Sequence, residues 1–234
     1  MVSTSVYYRV AADIIRDTAE IFDRPPLFHL GFDEEVPIAG RNHFSCICRQ
    51  GDLWWHDLEY MIGEAERNGS RAVIWADKVC DGRKEFLRRM SKDVLLSPWY
   101  YGADFSLDNL TWKSEFEKRT NDLRDVQRNL TAALPLLDRA GFDLLPCTSN
   151  WDCNEASEAM VAYCKSNIDP AHLKGLYTAP WMMMVPDYVT PKKKKRKGVS
   201  RQMTTLEQWH AAYPKMPLAL WLYNGFPNEF YDNG

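Results

Sequence analysis

The stretch FHLGFDEE, residues 28–35, sets a glycine and three consecutive carboxylates directly behind a short apolar run. Along a continuing strand Asp33 and Glu34 would point to opposite sides. At a strand end the chain turns, and both can reach one pocket. Two neighbouring carboxylates push at least one pKa upward. A carboxyl that stays protonated near neutral pH is what a glycosidic leaving oxygen needs, while a second carboxylate orients a nucleophile or stabilises positive charge. Gly31 allows close backbone approach, and His29 can fix a carboxylate by hydrogen bonding. The same triplet also suits a solvated acidic loop, and His29 with the acids suits a metal site. Glu35 offers a third carboxylate, which would allow an ordinary acid-and-nucleophile pair.

The elements that must position these groups alternate. Residues 8–23 place Ala11, Ile14, Ile15, Ala19 and Phe22 on one helical face, and Arg24-Pro25-Pro26 stops the helix. LFHL reads as a buried strand. A helix begins at Asp52, turns Trp54, Leu58, Met61, Ile62 and Ala65 inward, and ends at Gly69. AVIWA (72–76), VLLSPW (94–99), DLLPCT (143–148) and GLYTAP (175–180) read as strands, with helices near 83–91, 114–140 and 154–167 between them. Ser114 with Glu117 and Thr204 with Glu207 are capping boxes, Asn154 is a cap, and Pro135 kinks or divides its helix. PLALWLY (217–223) is a last strand or a buried tail. Strands and helices in alternation predict an α/β fold with a parallel sheet.

Each strand end carries acidic or aromatic residues: Asp33 and Glu34, then Trp75 and Asp77, Trp99 and Tyr101, Trp151, and Trp181. In a parallel sheet all these ends share one side, and in a (β/α)8 barrel that side carries the active site. The alternative is that the tryptophans plug the barrel mouth.

The chain of 234 residues is enough for one large domain or two small ones; nine Trp and eleven Tyr suit flat ligands such as sugars, as well as a large core. A net charge of −3 argues against a general nucleic-acid binder. The six cysteines lack zinc-site spacing and read as scattered buried thiols. No apolar run approaches the roughly 20 residues that span a bilayer. The N-terminal residues lack the basic start and apolar middle of a signal peptide. Secreted, periplasmic and cytoplasmic locations stay open. Nothing in the sequence calls for a cofactor or a metal.

His29-Leu30-Gly31-Phe32-Asp33-Glu34 resembles the H-x-G-G-D-E motif of family 20 glycoside hydrolases, the β-N-acetylhexosaminidase family. The W-x-D of Trp75–Asp77, the strand ending in Trp99 and the Gly175-to-Trp181 strand resemble that family in the same order. So do the blocks RQGDLWWHDLEYMIGEAERNGSRAVIWAD and LLSPWYYG, which look like an uncharacterised bacterial branch. The resemblance covers most of residues 8–185. It implies a TIM-barrel type fold, here a partial barrel corresponding to strands 4–8. It implies Glu34 as general acid and Asp33 orienting the substrate's 2-acetamido group, whose oxygen attacks the anomeric carbon with net retention. Trp75, Trp99 and Trp181 would wall the sugar, with Asp77, Tyr101 and Trp151 beside them, and His29 would support the acid pair. An oligosaccharide or glycoconjugate is the implied partner.

The chain departs from the family in several places. Phe32 replaces the motif's second glycine, which would narrow the space beside the acid pair. Asn150-Trp151 stands where the family has a strand-end Tyr, and Met182, Met183 and Met184 follow Trp181 where the family has a Glu. If FHLG corresponds to the family's fourth strand, the resemblance implies that the first three strand–helix units, and the first-strand Arg with them, are absent from this chain. The expectation is one barrel domain over 1–234 that is the C-terminal part of a longer barrel, inactive alone or completed by a second copy or a missing half. Its basic surface loop, 186–200, with PKKKKRKG, reads as solvated, as an import signal, or as a contact for an acidic glycan. The alternative function is a carbohydrate-binding or structural remnant that keeps the aromatic mouth without turnover.

Overall fold

The computed structural model describes residues 2–33, 35, 49, 51–106, 123–149, 155–179 and 218–220. Glu34, Trp151, Trp181, the 186–200 loop, both capping boxes and Asn154 lie outside the described residues.

Helix α1 (Ser5–Ile21) leads to β1 (Leu27–His29). Then come α2 (Asp52–Arg67), β2 (Arg71–Trp75), a 3₁₀ turn (Asp77–Cys80), α3 (Arg83–Arg89) and β3 (Leu95–Ser97). Next are α4 (Leu123–Arg139), β4 (Cys147–Thr148), α5 (Ala156–Asn167), β5 (Leu176–Thr178) and β6 (Leu218–Leu220). Thr4 caps α1 by accepting the Tyr7 amide, and Gly69 takes φ +86° just beyond α2. Pro135 lies inside α4, which runs through it. No helix among the described residues is long and apolar enough to cross a membrane.

All strand pairs are parallel: β1 with β2, β2 with β3, β4 with β5, β5 with β6. Parallel bridges Leu96↔Leu144 and Trp99↔Cys147 join β3 to the β4 segment. The ladder is interrupted there because Pro98 brings no N–H to it. Six neighbouring strands thus follow chain order, and their carboxyl ends share one side. Strands 4–8 of a barrel would be five; β6 adds a sixth on the far edge of β5.

Alternation sorts the side chains into two cores. Ile74, Leu96, Leu144 and Leu176 face outward into the helix layer, against Trp54, Leu58, Leu134 and Met160. Val73, Trp75, Leu95, Leu145, Cys147, Tyr177 and Ala179 fill the inner side. His29 on β1 reaches Tyr177 on β5, with ring centroids 6.3 Å apart. In a flat sheet four strand gaps would separate these strands by roughly 19 Å. The sheet is therefore strongly curled, as a partial barrel requires, and no closure between β6 and β1 is seen among the described residues.

Helix α1 departs from its sequence reading. Ile15 and Ala19 are buried, but Ile14 and Phe22 are exposed. Val6, Val10, Ile14 and Ile21 form an outward apolar stripe along α1. Phe22 lies just past the helix end, outside the helical period.

Phe32 also departs from expectation. It follows Gly31 (φ +80°) and itself sits at φ +67°, the left-handed region that a side chain disfavours. A glycine at this place would meet that backbone need without steric cost. Phe32 is tolerated because its ring turns outward, edge-on to Trp54 at 5.6 Å, into the helix-facing core. It does not line the mouth. Two substitutions separate the ring from the backbone. Phe32→Ala should lose about 3–5 kcal/mol. Phe32→Gly, which removes the same ring but frees the backbone, should be more stable than Phe32→Ala by about 1 kcal/mol. Urea unfolding of both variants checks the order, and a less stable glycine variant would refute the strained turn.

Candidate active site

The carboxyl ends of β1, β2 and β3 bring the acid loop and three aromatic residues to one side of the sheet. His29, the last residue of β1, lies tilted against Trp75, the last residue of β2, with centroids 4.6 Å apart. Trp75 lies against Tyr177 at 5.8 Å. Beyond β3, Trp99 and Tyr101 stack on each other at 5.1 Å and an interplanar angle of 26°. Both are half-buried and border the inner core. Trp75 is buried at 3% exposure; it is floor rather than open wall. Asp77 is buried where β2 passes into its 3₁₀ turn.

His29 has a definable protonation state. Surrounding protein pushes its imidazole pKa down to about 4, although solvent reaches the residue. The ring is therefore neutral near pH 7. The Gly31 amide donates to Nδ1 at 3.1 Å, which leaves the proton on Nε2. Nε2–H then donates to the Tyr177 hydroxyl at 3.2 Å, and Tyr177 pairs with Ser97 Oγ at 2.8 Å. This line crosses the inside of the curl from β1 to β5 to β3. His29 supports the acid loop through the backbone of Gly31, and its ring is aligned by Tyr177.

Asp33 is exposed as a residue, yet desolvation of its carboxyl raises its pKa. The Glu35 charge adds to that rise, against a backbone hydrogen bond that lowers it. This is the direction expected for paired carboxylates. Glu35 is committed elsewhere. Both its oxygens accept from Arg49, through Nε at 2.6 Å and through Nη2. Arg49 in turn contacts Tyr7 Oη at 2.9 Å and fully buried Asp57 at 3.4 Å. The third carboxylate of the triplet is thus ion-paired with Arg49.

Of the residues singled out in the sequence, the structure brings His29, Trp75, Asp77, Trp99, Tyr101 and Asp33 to the same end of the sheet. Glu34, Trp151 and Trp181 lie outside the described residues. Tyr177, Ser97, Arg49 and Asp57 join the site without having stood out in the sequence. Period-two spacing offers a signal for Tyr177, which lies in phase with Ala179 on the inner side. Arg49 offers none, because its partner is 14 residues away across a segment of no regular pattern.

No family model matches the chain. No curated protein matches it either. Among the solved structures that match is the GH20 exo β-N-acetylglucosaminidase from Vibrio harveyi in complex with N-acetylglucosamine, at 16% identity and a TM-score of 0.44. The match covers 89% of this chain and 35% of that one, so the chain spans about a third of that protein's length. It is a distant likeness of fold.

Proposed function

We propose that this chain carries a glycosidase centre for β-linked N-acetylhexosamine-type sugars. The observation that carries the reading is one of placement. Asp33, with Glu34 next to it in sequence, follows β1 at the same end of a curled parallel sheet as Trp75, Trp99 and Tyr101. Glu34 is the general acid in this reading. Asp33 accepts a hydrogen bond from the acetamido N–H, so that the acetamido oxygen attacks the anomeric carbon. A carboxylate of raised pKa is the stronger acceptor for that N–H. The Trp99–Tyr101 stack offers a flat face to sugar C–H groups. With Glu35 held by Arg49, the substrate's own acetamido group supplies the nucleophile, an exception to the two-carboxylate scheme.

Hydrolysis of aryl β-N-acetylglucosaminide, β-N-acetylgalactosaminide and plain β-glucoside tests this, for this chain and for any longer chain that contains it. Turnover is expected on the acetamido sugars alone. Glu34→Gln should lower kcat by about 10²–10⁴-fold. Equal turnover of the β-glucoside would overturn the substrate-assisted route. Sugar binding without turnover in every version would favour the binding remnant, which needs the aromatic pair and not the acids.

The site also sets a pH dependence of stability. The unfolded chain binds a proton at His29 near pH 6.5, the folded chain only near 4. Between these values the unfolded state holds more protons, so stability falls as pH drops through the window. Asp33 acts oppositely, because its raised pKa lets the folded state hold the proton longer. His29→Gln removes the titrating ring. Wild type should therefore lose stability relative to His29→Gln as pH falls from about 6.5 to 4, read from urea midpoints. Parallel curves would show that the ring titrates as in water.

A further inference from the structure

Beyond Gly31, whose carbonyl still accepts from the Trp75 amide at 3.0 Å, the described residues of the acid loop have no regular structure to hold them. Residues 31–33 lie beyond the end of β1, and Gly31 and Phe32 both take positive φ. Such a turn needs anchors. Phe32 supplies one by burying its ring against Trp54. Glu35 supplies the other, on the far side of Asp33 and Glu34. Its two carboxylate oxygens are gripped by Arg49, and its carbonyl lies 3.4 Å from Lys78 Nζ. The Arg49 guanidinium also lies over the Phe32 ring at 4.3 Å, so one side chain touches both anchors.

Arg49 is itself held from behind. Its side chain is 11% exposed, and the Asp57 carboxylate beside it is fully buried. Asp57 accepts from Ser3 Oγ and from Tyr8 Oη, each at 2.6 Å, and from Arg49 at 3.4 Å. Tyr7 Oη accepts from Arg49 at 2.9 Å. The relay therefore begins in the N-terminal segment and α1, passes through α2, and ends on the acid loop. A planar guanidinium is suited to this work, since it serves a bidentate carboxylate, a second acid and a ring at once.

We propose that Arg49 is the positioning residue of the acid loop: backed by Asp57, it clamps Glu35 and Phe32 and so fixes the backbone that carries Asp33 and Glu34. The clamp stands on geometry alone; its catalytic consequence rests on the function proposed above.

Amide hydrogen exchange tests the clamp without needing turnover. Glu35→Gln is the first variant, because it leaves the buried Asp57–Arg49 contact intact and should fold. Exchange in residues 31–35 should rise about tenfold, the loss of one charge-assisted hydrogen-bond pair. Exchange in β2 and β3 should not change. Arg49→Met should release the same residues, and the double variant no more than Arg49→Met, since both remove one interaction. Arg49→Lys keeps the charge without the fork and should protect only in part. Unchanged exchange of the loop in Glu35→Gln and Arg49→Met would overturn the proposal. Where wild type cleaves an acetamido glycoside, Glu35→Gln should lower kcat more than it changes KM. A freed loop with unchanged kcat would overturn the positioning role. Absence of wild-type turnover would count against the proposed function alone, and the exchange result would still decide the clamp.

Discussion

Parallel pairing is the constraint on which the other features depend. A parallel strand cannot return to its neighbour by a tight turn, and each of the four described returns from β1 to β5 passes through a helix that covers one side of the sheet. In this chain that side takes Ile74, Leu96, Leu144 and Leu176. The other side has no helices among the described residues, and its Val73, Trp75, Leu95, Cys147 and Tyr177 must find cover among themselves. Curling the sheet provides it. The His29–Tyr177 contact, four strands apart, is the result. Parallel pairing also gathers every carboxyl end on one side, so the loops beyond the strands meet. The acid loop meets aromatic strand ends for that reason, and not through any attraction between acids and tryptophans.

The acid loop is where this order is locally violated. Left-handed backbone at Phe32 disfavours the turn, and its side chain offsets that cost only by leaving the mouth for the outer core. The neighbouring Glu35 is likewise drawn outward, to Arg49. Asp33 lies between these two anchors and remains exposed. The loop thus divides its side chains: those that hold it in place face the helices, and Asp33 does not. A glycine at position 32 would ease the backbone but would remove one of the two anchors.

Much of this is legible in the sequence. The inward face of α2 follows 3.6-residue spacing, and Trp54, Leu58, Met61 and Ala65 are buried as that spacing implies. The strands lie where short apolar runs meet turn residues, with bounds displaced by one or two residues except at β4, where only Cys147–Thr148 of the expected 143–148 is strand. PLALWLY contributes a strand at 218–220. The failures have physical causes. Periodicity assigns a helix a face but does not say which face has a neighbour, so it turns Ile14 inward although that residue is 59% exposed. The size of Phe32 suggests a narrowed mouth, whereas its backbone angle decides where the ring goes. Arg49 and Asp57 are joined across a turn of chain by charge and hydrogen bonding, and no local pattern announces such a pair.

The electrostatics of the mouth bear on what kind of ligand suits it. Desolvation lowers the pKa of His29 and raises that of Asp33. The two shifts are opposite in sign but common in cause: the surroundings disfavour charge of either sign. A neutral sugar meets no such penalty, and its C–H faces suit the Trp99–Tyr101 stack. Charge becomes useful there only when it is made during reaction. In the proposed reaction, positive charge developing at an anomeric carbon would be stabilised by an ionised Asp33 beside it. An acid loop fixed by anchors on its outer side serves that purpose better than a mobile one, because a carboxylate stabilises developing charge only where it is held.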